Sequence, residues 1–133
     1  MAEIKLRYGE KITHNSGNTI YKYGDEPGEK CIYYVIAGLV KIELKLPDNS
    51  NFQLYLHPNS LFGIIEPITQ SNRLTSAYTM EQSILYCWDM ANFQMASSVC
   101  MELAFISFTG LTRMLRIMNA EFGEKLTMEK RTE

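Results

Sequence analysis

Histidine is scarce in this chain. The two that occur, His14 and His57, stand far apart and form no His-x-His motif. Barrels of the cupin type hold metal through His-x-His and Glu sets, so the commonest metal chemistry of small barrels is not expected. Cysteine is equally sparse: Cys31, Cys87 and Cys100 form no C-x-x-C pair. Three separated cysteines make a poor disulfide framework and a poor zinc or iron–sulfur set, and they read as small buried hydrophobes. Positive charge is not in excess, since the net charge is −2 and the pI about 5.7. Nucleic-acid binding normally needs a basic face, so DNA binding by this chain alone is not expected. No apolar run reaches the roughly 18 to 20 residues of a membrane span. The start, Met1 to Tyr8, lacks the apolar core and cleavage site of a secretion signal, which makes the cytoplasm the expected location and gives no membrane partner. Ser60, Ser76 and Cys87 have no base near them in sequence, so no enzyme activity is expected.

What is present suits one packed domain: 133 residues, 46% hydrophobic and 21% charged. Residues 1 to 15 alternate only weakly, through Ile4, Leu6 and Tyr8. Thr19 to Tyr23 reads as a short strand closed by the loop Gly24-Asp25-Glu26-Pro27-Gly28. Cys31 to Ile36 is β-branched and aromatic, hence a strand, and Ala37-Gly38 breaks it. In the next segment Val40, Ile42, Leu44 and Leu46 alternate with Lys41, Glu43 and Lys45, the pattern of a half-buried strand. Pro47 to Asn51 makes a hairpin turn and Phe52 to Leu56 the return strand. Thr75–Thr79 and Ser83–Trp88 are two further strands. Short strands at such spacing, with no long helix between them, predict an antiparallel β-sandwich or barrel.

The pattern changes at Asp89, which can cap a short helix through Asn92 to Met95. From Val99 the chain reads as one helix almost to its end. Ala104, Phe108, Leu111, Leu115, Met118 and Phe122 form a heptad seam, and Leu103, Ile106, Met114 and Ile117 form a second apolar line beside it. One line can pack on the barrel. The other then needs a partner, most simply the same helix of a second chain, giving a homodimer. The expected division is therefore a β-barrel over 1–98, a long dimerisation helix over 99–126, and a disordered tail over 127–133.

Between barrel strands, and before the long helix, lies the stretch Asn59-Ser60-Leu61-Phe62-Gly63-Ile64-Ile65-Glu66-Pro67, followed by Arg73-Leu74-Thr75-Ser76-Ala77. Backbone N–H groups beside a glycine, with a guanidinium nearby, make a small anion site.

Ile20-Tyr21-Lys22-Tyr23-Gly24-Asp25-Glu26 and then Ile32 to Ile42, a Y-x-V-x-x-G-x-V-K-I pattern, resemble the opening of a cyclic nucleotide-binding domain. The nearest subtype is the sensor domain of the CRP/FNR transcription regulators, and the resemblance covers roughly residues 13 to 126. It implies a jelly-roll barrel (a double-stranded β-helix), a long C-terminal helix that pairs about a two-fold axis, and an effector pocket facing that helix. The function implied is that of a small-molecule effector-binding, dimerising sensor. Full-length members continue into a helix-turn-helix domain. Only seven residues follow Leu126 here, which fits a stand-alone sensor or a fragment of a longer regulator.

The ligand stays open between several readings. For a cyclic nucleotide, the resemblance places Gly63 and Arg73 at the phosphate, Thr75 or Ser76 as the hydroxyl, and Met118 and Asn119 near the base. Ile64 stands where a ribose-binding carboxylate is expected, and Glu66 is out of register for it. Phe62-Gly63-Ile64-Ile65 is similar to the cassette of NtcA-type nitrogen regulators, which implies a 2-oxoglutarate-like organic dianion held by Arg73 and Arg113. Haem through His57 or His14 ranks last. A cassette that has lost its ligand, in a pure dimerisation or protein-interaction module, is the remaining alternative. In that reading Arg73 is a surface arginine paired with Glu66.

Overall fold

The structure is a computed structural model that describes residues 5–46, 48–113 and 116. Expectations resting on Leu115, Met118, Asn119, Phe122 and the 127–133 tail lie outside the described residues. The strands are β1 (Glu10–His14), β2 (Thr19–Tyr21), β3 (Ile32–Ala37), β4 (Val40–Lys45), β5 (Asn51–Leu56), β6 (Leu61–Phe62), β7 (Thr75–Thr79) and β8 (Ser83–Trp88). Helix α1 (Ile65–Thr69) lies between β6 and β7, and α2 (Met90–Val99) follows β8. A third helix, α3, is described over Met101–Arg113.

The strands form two four-stranded sheets, ordered β1-β8-β3-β6 and β2-β7-β4-β5, with every pairing antiparallel. This is the expected mainly-β, jelly-roll arrangement with helices at the C-terminal side. Within the weakly patterned residues 1 to 15, Glu10–His14 forms β1, whose register sets Lys11 opposite Tyr86. Leu61 and Phe62, at the entry to the cassette, form β6, which pairs with Tyr33 and Tyr34.

Two cores follow from the two faces of β3. Val35 packs between the sheets with Val40, Ile42, Phe62, Ala77 and Leu85. Ile32 and Tyr34 point the other way, into a second cluster with Trp88, Phe93, Ala96 and Leu103 of β8, α2 and α3. A strand buried on both faces loses its polar alternation, which is why 32–36 reads as continuous apolar sequence. Trp88 donates its indole N–H to the Arg7 carbonyl at 2.6 Å and packs edge-on to Tyr86 and Phe93. All three cysteines are buried free thiols, and burial pushes those of Cys31 and Cys87 up from the ordinary value.

The helical region divides as expected, into a short helix after Asp89 and a second helix, which starts at Met101, two residues beyond Val99. Asp89 caps α2 by accepting from the Asn92 N–H at 2.7 Å, and α2 continues for ten residues because Phe93 and Ala96 bury against the barrel. The chain turns extended at Cys100 (φ −133°, ψ 100°), and α3 leaves at 117° to α2. Buried Cys100 and Leu103 anchor the corner. Among the described residues no single helix is long and apolar enough to cross a membrane.

Candidate functional site

The cassette is built on a left-handed glycine and a buried charge pair. Gly63 has φ +80°, and a Cβ there would stand 2.7 Å from the Cys31 carbonyl oxygen and 3.1 Å from Arg73 Nη1. Both the backbone conformation and the space therefore require glycine. The chain then winds into α1, with Pro67 in its first turn where a missing N–H costs nothing. Gln70 ends the helix in the left-handed region (φ 55°).

Arg73 is 1% exposed and Glu66 4% exposed, so the pair is an interior one. Arg73 Nη1 donates to the Gly63 carbonyl at 2.9 Å and to Glu66 Oε1 at 3.4 Å, while Nη2 donates to the Cys31 carbonyl at 2.7 Å. Its guanidinium lies 4.0 Å above the Tyr21 ring. Its Nε is buried without a partner. The expected pairing with Glu66 is present, but the expected surface position is not: carbonyls of two loops and an aromatic face draw the guanidinium inside. The backbone of Arg73 is tied too, donating to the Asp25 carbonyl at 2.7 Å and accepting from Gly24 N–H at 2.8 Å. The Gly-Asp-Glu loop and the cassette are thus cross-braced.

In front of this pair lies a cavity of about 50 Å³ between the cassette and α3. Tyr21, Ile42, Leu44 and Thr75 form its strand wall, and Leu61 to Glu66 form its cassette wall. Ser107, Gly110 and Leu111 close it from the helix. Arg73 stands behind Gly63 and Glu66 and does not line it. The hydroxyls of Tyr21 and Thr75 lie 3.3 Å apart and share a hydrogen bond. Burial pushes the Tyr21 hydroxyl up to about 12, against the opposing pull of the Thr75 hydrogen bond, so it stays neutral at physiological pH. A wider cavity of about 290 Å³ runs alongside under Ile106, Thr109 and Arg113, sharing Leu61 and Gly110 with the first.

The sequence matches the family described as the cyclic nucleotide-binding domain over residues 11–98. The chain belongs to that family. No curated protein sequence matches this cyclic nucleotide-binding domain chain. Among solved structures it is similar to the Thermus thermophilus catabolite activator protein, with TM-score 0.73 and 23% identity over 92% of this chain. The chain spans 56% of that protein. It is similar to the haem domain of CooA from Carboxydothermus hydrogenoformans, with TM-score 0.76 and 15% identity over 92% of this chain and 84% of that one. It is also similar to the regulatory subunit of a cAMP-independent protein kinase A from Trypanosoma cruzi, bound to guanosine (TM-score 0.60, 15% identity, 68% of this chain and 32% of that one). At such identities the likeness establishes the fold.

Within this cyclic nucleotide-binding domain the expected site residues separate into groups. Phe62, Gly63, Ile64, Ile65 and Thr75 gather on the first cavity. Ser76 does not join them, because alternation along β7 puts it on the opposite face from Thr75, where it is buried and accepts the Tyr23 N–H at 2.9 Å. Arg113 is exposed and lines the wider cavity, so the two arginines expected around one dianion do not share a pocket. Ile64 is a core residue packed with Trp88 and Phe93 as well as a cavity wall. Neither histidine lines either cavity. On α3 the expected seam divides: Leu111 turns inward to the cavity, while Phe108 is 70% exposed and Phe105, outside the seam, is 66% exposed. Sequence reasoning missed Tyr21, and it gave Glu66 only as the partner of a surface arginine, not as a cavity wall. Glu66 carried a signal, since a carboxylate inside Ile-Ile-Glu-Pro-Ile needs a buried partner.

Proposed function

We propose that this chain is a small-molecule effector-binding sensor domain of the CRP/FNR type, acting as a homodimer in the cytoplasm, with no DNA binding and no catalysis of its own. The observation that carries this reading is the placement of a cavity between the cassette and α3. A molecule held there touches the barrel through Phe62 to Ile65 and the helix through Ser107, Gly110 and Leu111. The opposite side of the same helix exposes Met101, Phe105 and Phe108, a face suited to a second copy. Effector binding then biases the position of α3, and the pairing of two such helices reports it. The barrel over 1–98 does the holding and the helix beyond it the coupling.

The test is a thermal-shift panel of cyclic nucleotides, 2-oxoglutarate, haem and small uncharged ring compounds. A ligand at 100 times its Kd adds about 2.7 kcal/mol. Sedimentation with and without any hit reads the assembly, and Phe108→Glu should convert a dimer to monomers. A flat panel sinks the effector reading, and a monomer at tens of micromolar removes the dimer. The closed Arg73–Glu66 pair favours a second reading, a dimerisation module whose cassette holds no ligand, and that reading predicts the flat panel together with an intact dimer.

A further inference from the structure

We infer that the cavity between the cassette and α3 takes an uncharged, largely apolar small molecule with one hydrogen-bonding group, and that Glu66 sets this preference. The inference rests on the effector reading above and names the chemical class of the effector.

In a cavity walled mostly by apolar side chains, a cation facing the ligand is what would favour an anion. Here Arg73 is already held by Glu66, by two carbonyl oxygens and by the Tyr21 ring. Glu66 lines the cavity and Arg73 does not. An entering phosphate or carboxylate therefore meets a carboxylate first, and like charges in a poorly solvated space repel strongly. Displacing Glu66 to reach Arg73 strands a buried carboxylate without its partner. An uncharged ligand disturbs neither group.

The remaining wall is apolar: Ile42, Leu44, Leu61, Phe62, Leu74 and Leu111. Its neutral handles are the paired hydroxyls of Tyr21 and Thr75, either of which can donate. The first space is small, about 50 Å³, and a ring compound also uses the wider space of about 290 Å³ beyond Leu61 and Gly110. Gly110 borders both spaces, and a Cβ added there meets nothing within 4 Å.

The experiment measures thermal shifts of the whole chain with cyclohexanol and indole as uncharged probes, and with cAMP, 2-oxoglutarate and inorganic phosphate as anions. The uncharged probes should raise the Tm and the anions should leave it unchanged. Gly110→Leu, which pushes a side chain toward the shared space, should abolish the response to cyclohexanol and indole. Glu66→Gln should gain phosphate binding by at least tenfold. Where that variant fails to fold, the wild-type probes decide alone. A wild-type response to an anion that disappears in Arg73→Lys overturns the class and leaves the effector reading standing. No response to any probe overturns both. An indole response that survives Gly110→Leu overturns the location.

Discussion

The cassette wall of the cavity and its helix wall face each other across it and are held in different ways. The cassette is fixed by polar contacts that are out of water: Arg73 bonds Gly63, Cys31 and Glu66 and lies on Tyr21. The helix wall has no such tie among the described residues. Ser107, Gly110 and Leu111 present a small hydroxyl, a hydrogen atom and one aliphatic side chain. Buried Leu103 anchors α3 at its start, and beyond Leu111 and Thr112 the side chain of Arg113 is exposed. A buried ion pair tolerates little displacement, because separating the charges leaves each unsolvated. A helix packed by a few apolar contacts can shift at modest cost. The cassette is therefore the wall suited to holding, and α3 the wall suited to moving.

The largest test of that contrast is to break the pair. Arg73→Ala leaves the Glu66 carboxylate buried and alone and should cost about 3–5 kcal/mol, read by denaturant unfolding. Leu111→Ala on the facing wall should cost clearly less, since it is only half buried. Equal losses would erase the distinction between the walls.

The next effect is in pH. The folded state holds Tyr21 neutral up to about 12, whereas the ordinary value is 10.0. Between these two values the unfolded chain has released the proton and the folded chain keeps it, so stability falls as pH rises through that window. The loss should be on the order of 2–3 kcal/mol, at about 1.4 kcal/mol per unit. Tyr21→Phe should flatten the alkaline limb relative to wild type. Burial also raises Tyr33 and Tyr34, so part of the slope should survive. An unchanged slope would mean that Tyr21 is not the buried group of the strand wall.

The smallest effect belongs to the helix wall. Gly110 lies inside α3, and a methyl group added there meets open space, so Gly110→Ala should stabilise the chain by roughly 0.5–1 kcal/mol through helix propensity. A loss of stability there would show that the helix already sits too close to the cavity to move freely.

Much of this arrangement could be read from the residues. The alternation in Val40 to Leu46 gave β4 its inward face, and Val40 and Ile42 are indeed in the inter-sheet core. Asp89 announced the start of a helix, and it caps α2. Gly63 announced a special turn, and its φ requires one. Other features were illegible for physical reasons. β1 is polar on much of its length because it forms a sheet edge, so its pairing with β8 has little hydrophobic signature. The corner at Cys100 carries no glycine or proline. It arises because buried Phe93 and Ala96 on one side, and Leu103 on the other, hold two helices to different parts of the barrel.

By itself the sequence determined the class of the protein: the strand pattern, the punctuating glycines and the apolar C-terminal helix are local properties, set by side-chain period and backbone sterics. Only the tertiary structure decided what the cassette does with its charge. Arg73 and Glu66 lie seven positions apart, and the sequence suggested their pairing but placed it at the surface. Folding brings Cys31, Gly63 and Tyr21 around the guanidinium, and burial then makes the pair an internal one. The strength of a charge depends on its solvent, and solvent exclusion is a property of the packed whole.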